Sequence, residues 1–143
     1  YYGSTFLSEL FTWNFSNSQW WTRLDRDFTP KDIVFLDTET TGLSGGLGTY
    51  AFLIGLGFIT EEGLVVEQYL MRDCDEEYPM LKSVLDILEN YRVLVTFNGK
   101  SFDWPLMESR LIYSRLKPLH WENAHLDLLH VSRRIWKAVH YHQ

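Results

Sequence analysis

Two carboxylates, Asp37 and Glu39, stand two residues apart where an apolar run, Ile33-Val-Phe-Leu-Asp37, gives way to Thr40-Thr-Gly42. On an extended strand, residues at that spacing leave the same face. Side by side they repel, and the pair costs stability unless something positive sits between them. Hard divalent cations with oxygen ligands, Mg²⁺ or Mn²⁺, answer that need. A third carboxylate follows in Asn98-Gly-Lys-Ser-Phe-Asp103, after a second apolar run and before a helical pattern. Three carboxylates converging on one spot predict a two-metal phosphodiester site, one ion activating water and the other stabilising the leaving oxygen. Each acid also has a plainer use. An Asp at a strand end forms turns, and Asp103, just before Trp104-Pro105, suits a helix N-cap.

The elements that must position these residues read as one α/β domain. Residues 33–37 form a short continuous apolar run, as in a central strand buried on both faces. Residues 42–48 hold four glycines in seven positions and predict a turn. Further strands are expected at 50–59 and, after the Glu61-Glu-Gly63 turn, at 64–71. Pro79 opens a helix whose apolar positions Met80, Leu81, Val84, Leu85 and Leu88 recur at helical spacing. A fourth strand at 92–97, a helix at 104–116, a short strand at 126–129 and a helix from Ser132 to Val139 complete the order. The prediction is a five-stranded mixed sheet, a three-strand antiparallel meander plus two parallel strands, flanked by helices. Both acidic motifs fall at strand ends, where the sites of such sheets lie.

The two motifs together resemble the DEDD (DnaQ-like) 3′–5′ exonuclease superfamily of the RNase H-like fold. Val34-Phe-Leu-Asp-Thr-Glu-Thr-Thr-Gly-Leu43 resembles its first motif. Phe97-Asn-Gly-Lys-Ser-Phe-Asp-Trp-Pro-Leu106 resembles its second, in the form seen in family B polymerase proofreading domains. With Ser44-Gly-Gly-Leu-Gly-Thr-Tyr-Ala-Phe-Leu-Ile-Gly55 and His125-Leu-Asp-Leu-Leu129, the likeness is closer still to the YprB-type RNase H-like domain of bacteria, over residues 31–137. It implies that Asp37, Glu39 and Asp103 are metal-binding and catalytic, with two Mg²⁺ or Mn²⁺ ions. It also implies that Thr40, Leu43, Asn98 and Phe102 meet the 3′ end of a single-stranded DNA or RNA, where an apolar side chain has stacking value. Core packing is the alternative for Leu43 and Phe102.

The departures from that pattern matter. The family's fourth acid lies on a later helix, shortly after a His or Tyr; here no carboxylate follows His140, Tyr141 and His142. The expectation is a domain over residues 31–143 that lacks its C-terminal end. Asp127, at a strand end, remains as a candidate metal ligand, although the resemblance favours a structural role for an acid in that place. Residues 1–30, with Trp13, Trp20 and Trp21, read as an extension packed on the domain by its aromatics, with base stacking the alternative use.

Composition narrows the classes. Hydrophobic residues make up 45% and charged residues 22%, as in a soluble globular protein. The longest near-apolar run, residues 50–59, is about half of a membrane span, so no membrane partner is expected. No basic N-terminus leads into an apolar stretch and a cleavage site. Cys74 is the only cysteine, which excludes an internal disulfide framework and fits a reducing cytoplasm. The net charge is −6, yet residues 1–99 carry 6 Lys+Arg against 15 Asp+Glu while residues 100–143 carry 7 against 4. That split suits metal-holding carboxylates beside a phosphate-binding face, to which Arg133, Arg134 and Lys137 could contribute, and it equally suits ordinary surface variation.

Two decoys fall on inspection, and a third likeness ranks as the runner-up enzyme. Asn98-Gly-Lys-Ser101 imitates the tail of a P-loop, but the glycine that should open the loop is Leu94, inside the strand. Asp37-Thr-Glu-Thr-Thr41 imitates the Asp-x-Asp-x-Thr of haloacid dehalogenase-like phosphatases, with a Glu one methylene too long. The five histidines show no zinc-ligand spacing with the one cysteine. Two main readings stay open, a metal-dependent 3′–5′ exonuclease and a degenerate RNase H-like module that binds nucleic acid without turnover, with a haloacid dehalogenase-like phosphatase using Asp37 as nucleophile ranked behind them.

Overall fold

A computed structural model describes residues 28–42, 48–121 and 124–140. The expected N-terminal extension up to residue 27, Leu43, and the Tyr141-His142 pair lie outside the described residues.

The chain enters through a one-turn 3₁₀ helix, Pro30–Asp32, capped reciprocally: the Asp32 carboxylate accepts the Thr29 backbone N–H at 2.7 Å and its hydroxyl at 2.8 Å. Strand β1 (Ile33–Thr40) follows, then β2 (Ala51–Ile59) and β3 (Leu64–Leu70). Helix α1 (Glu77–Leu88) crosses back to β4 (Val93–Thr96), α2 (Asp103–Tyr113) leads to β5 (His125–Asp127), and α3 (Leu128–His140) closes the order. The five strands lie in the order β3-β2-β1-β4-β5. β1–β2 and β2–β3 pair antiparallel, and β1–β4 and β4–β5 pair parallel. This is the mixed sheet expected from the sequence, an α/β fold of the RNase H type. Among the described residues no helix is long and apolar enough to cross a membrane.

The two faces of the sheet are covered unequally. On the core face, Val34, Leu36, Ile54, Leu56 and Leu94 meet the apolar stripes of α1 and α2. That stripe, Met80, Leu81, Val84, Leu85 and Leu88, recurs at helical spacing, and each such side chain contributes about 1.5–3 kcal/mol when fully buried. On the other face, Phe28, Ile33, Val93, Val95, Leu126 and Val131 form a second cluster, which α3 covers. The expectation that residues 33–37 are buried on both faces therefore fails from Phe35 onward. Phe35 is 37% exposed, and the residues beside it across the β1–β2 pair are Gly57 and Gly55, which offer no side chain to cover it. Leu64, Val66 and Leu70 of the edge strand are exposed on this open face as well.

Element ends differ from the expected ones for local reasons. α1 starts at Glu77, two residues before Pro79, because a proline in the first turn removes an N–H that no helical carbonyl would accept. α2 stops at Tyr113, not Leu116, since Arg115 takes a left-handed φ of 59°. β5 ends at Asp127 and α3 begins at Leu128, four residues earlier than expected, with the Asp127 carboxylate accepting the Leu129 N–H at 3.0 Å.

Candidate active site

Strand alternation divides the end of β1. Asp37 and Glu39 leave the open face, where both are exposed. Their cross-strand neighbours are Gly55 and Leu53, and among the described residues neither carboxylate meets a hydrogen-bond donor or a cation. Thr38 and Thr40 leave the core face instead.

Asp103 is the first residue of α2, and α2 packs on the core face through Met107 and Leu111. Its carboxylate consequently arrives on Thr38's side of the strand, where Oδ1 accepts the Thr38 hydroxyl at 2.5 Å. Among the described residues no group of three or more acidic, histidine or cysteine side chains could hold a metal ion. The convergence of Asp37, Glu39 and Asp103 expected from spacing is thus replaced, in this structure, by a free pair on one face and a bonded acid on the other. Thr38 is the residue that sequence reasoning missed. Its signal was present in the alternation, which puts the residue between two acids on the opposite side.

A cleft of about 480 Å³ opens beside this strand end, lined among others by Thr38, Thr40, Thr49, Ser101, Phe102 and Asp103. Of the residues proposed to meet nucleic acid, Thr40 and Phe102 line it together. Phe102 is 60% exposed, which removes core packing as its role. Asn98 does not line the cleft; it takes a left-handed φ of 62° and opens the turn that carries Ser101 to Asp103. Thr40 accounts for its hydroxyl locally, donating to the Gly42 carbonyl at 3.0 Å.

Asp127 holds that turn. Its buried carboxylate accepts the backbone N–H groups of Asn98 at 2.8 Å, Lys100 at 3.1 Å and Leu129 at 3.0 Å. Burial pushes the Asp127 carboxyl up, but these three backbone hydrogen bonds outweigh it and leave the group below its ordinary value. With its oxygens so engaged, Asp127 positions the loop; the candidacy as a metal ligand has no free oxygen geometry behind it. Gly99 is obligatory for a different reason: a Cβ there would meet the Thr96 Cβ at 2.4 Å. Beside it, the Thr96 hydroxyl pairs with His125 Nε2 at 2.9 Å. Burial, then the charge of Lys100, push the His125 ring down to about 4 against the pull of Asp127.

Arg110 ties α2, the helix that supplies Asp103 to the cleft, to α1. Its Nε donates to Glu77 Oε1 at 2.6 Å and its Nη2 to Oε2 at 2.5 Å, linking α2 to α1 in a buried bidentate pair. The guanidinium carbon stands 4.2 Å from the Tyr50 ring centre and 4.8 Å from that of Tyr113. Tyr50 in turn pairs with Thr41, its carbonyl accepting the Thr41 N–H at 3.0 Å and its own N–H donating to the Thr41 hydroxyl at 3.1 Å. Nothing in the one-dimensional spacing of residues 50, 77, 110 and 113 announces this arrangement.

The donor chemistry of Asp37 and Glu39, oxygen-only, exposed and uncompensated, fits a hard divalent cation. Asp103 keeps one carboxylate oxygen on the Thr38 hydroxyl.

Comparison with known proteins agrees with the fold. A family model described as RNase_H superfamily matches residues 34–141, which include both acidic motifs. A curated protein of Bacillus subtilis (strain 168), named as uncharacterized protein YprB, is 40% identical over 139 residues, 95% of this chain and 33% of that one. The chain therefore spans about a third of the length of that relative. Among solved structures, the simian T-cell lymphotropic virus intasome in complex with PP2A regulatory subunit B56 gamma aligns at a TM-score of 0.31. The identity there is 15%, over 73% of this chain and 37% of that one, a likeness too slight to bear on function.

Proposed function

The chain belongs to the RNase_H superfamily, and on that premise we propose that it is a metal-dependent nuclease domain of the 3′–5′ exonuclease type, acting on DNA or RNA. The observation that carries the reading is the pair Asp37 and Glu39: two exposed, uncompensated carboxylates on one strand end, beside a cleft that presents Thr40, Phe102 and Asp103. RNase H-like nucleases typically use divalent metals, and here Asp37 and Glu39 would hold Mg²⁺ or Mn²⁺, with Asp103 as the third candidate. When bound, such cations supply a metal-activated water and charge stabilisation on the leaving oxygen. The chain's own residues do the rest. The Phe102 ring offers a stacking surface for a terminal base, and the threonine and serine hydroxyls of the cleft offer hydrogen bonds to a sugar. Asp127 holds the 98–103 turn so that Phe102 and Asp103 arrive at the cleft together. A role for Leu43 in wedging against the terminal base belongs to the same proposal.

The second reading, a nucleic-acid-binding module without turnover, draws on one observation, the Asp103 carboxylate engaged by Thr38. One experiment separates the two. The protein is incubated with 5′-labelled DNA and RNA strands, with Mn²⁺ or with EDTA, alongside Asp37→Ala. A ladder shortened from the 3′ end, lost with EDTA and in the variant, is the expected result. Strands that are bound but never shortened in the presence of metal would favour the binding module.

A further inference from the structure

Helix α3 carries a feature that the cleft does not use. Its sequence, LLHVSRRIWKAVH, holds no acidic residue and three fixed cations, Arg133, Arg134 and Lys137. Val131 anchors the helix to the sheet. Away from that anchor, Arg133, Trp136 and Lys137 follow one another at i, i+3 and i+4 and share one flank. All three are exposed, Trp136 at 62%. Among the described residues neither Arg133 nor Lys137 has an ion-pair partner. A tryptophan left in water forgoes the burial of about 150–250 Å² that aromatic side chains ordinarily reach. Set between two uncompensated cations, that ring has the makings of a base-stacking platform on a phosphate-attracting strip.

We infer that the Arg133–Trp136–Lys137 flank of α3 is a docking strip for single-stranded nucleic acid, separate from the cleft. Charge complementarity selects the occupant: a flank that is cationic and aromatic, with no acid on its helix, suits a polyanion with stackable bases and suits an acid-rich or purely apolar protein surface less well. The position agrees. α3 packs on the same sheet face from which Asp37 and Glu39 project, and Asp37 lies four residues, about 13 Å, along β1 from Ile33 in the α3 contact cluster. A strand held on α3 would thus lie on the side of the sheet that carries the free carboxylates. The inference rests on the nuclease reading for the class of partner, and its stacking is sequence-tolerant, so it applies to DNA and RNA alike.

The test is fluorescence anisotropy of the whole chain with labelled oligo(dT) and oligo(rU), about 12 nucleotides long, in EDTA so that no cleavage intervenes. Trp136→Ala should weaken binding about tenfold, and Trp136→Phe should stay within about twofold of the parent, because a phenyl ring still stacks. The pair Arg133→Gln and Lys137→Gln should lower the slope of log affinity against log salt, read between about 50 and 200 mM, by about 1.4. All three positions are exposed, and thermal melts matching the parent establish that the variants fold. Affinity and salt slope unchanged in both variants would overturn the inference. So would a Trp136→Ala variant that binds as the parent does but sediments as a smaller species, since the flank would then join copies of this chain. Parental binding without cleavage under Mn²⁺ would sink the nuclease reading and leave the strip standing. Intact cleavage with strip variants equal to the parent would sink the strip alone, and a parent that binds neither oligonucleotide would sink both.

Discussion

The two faces of β1 end within a few residues of each other and follow opposite rules. On the core face three carboxylates are partnered: Asp103 takes the Thr38 hydroxyl, Asp127 takes three backbone N–H groups, and Glu77 takes the Arg110 fork. On the open face, Asp37 and Glu39 have none among the described residues. Partnered carboxylates hold a shape, whereas unpartnered ones hold free energy in reserve for whatever arrives. Under the proposed nuclease reading, the difference marks the open face as the reactive side more sharply than the count of acids does.

The largest expected effect breaks the comparison on the open face. Asp37→Asn should cost at least about 1000-fold in metal-supported cleavage while leaving stability unchanged or slightly higher, because it relieves a repulsion. Labelled-strand kinetics and urea melts read the two quantities separately. A stability loss of several kcal/mol would mean that Asp37 is partnered after all. On the core face the signs reverse. Glu77→Ala strands the Arg110 guanidinium in the interior and should cost about 3–5 kcal/mol in the same melts, whereas an apolar replacement of both partners should cost far less.

The third prediction uses pH. His125 titrates near 6.5 when unfolded and near 4 in its buried place, so the unfolded chain binds the proton more readily. Its contribution is complete above pH 6.5 and is lost as pH falls toward 4, about 3 kcal/mol in all. Asp127, whose carboxyl is also held down, contributes above its unfolded value and loses that contribution only at lower pH still. Melts of His125→Phe should lose the slope between pH 6.5 and 4; a slope that persists would assign it to another group. The smallest effect tests whether the two faces communicate. Thr38→Val removes the hydroxyl that engages Asp103 and should cost about 1 kcal/mol. It should also tighten Mn²⁺ binding, read by calorimetry, by freeing Asp103 to swing across; unchanged affinity would confine metal binding to Asp37 and Glu39.

Much of this was legible in residue order. Apolar runs with glycine punctuation placed all five strands, and alternation put Asp37 and Glu39 on one face. What could not be read was the face on which Asp103 arrives. That depends on which side of the sheet α2 packs, a decision made by Met107 and Leu111 against β1 and β4. The role of Asp127 was hidden similarly, because its partners are backbone N–H groups, two from the left-handed turn at Asn98 and one from the first turn of α3. The Arg110 clamp joins two helices and Tyr50, the residue before β2, and no local pattern encodes it. Helix and strand ends moved by a few residues wherever a cap or a proline, instead of periodicity, set the boundary.

Asp127 has a mechanical consequence. One oxygen is shared between the Asn98 and Leu129 N–H groups, and the other takes that of Lys100. The first turn of α3 and the turn that presents Phe102 are therefore pinned to a single rivet. A tug on α3 cannot be absorbed locally: it must either break those bonds or be passed on as a displacement of the cleft wall.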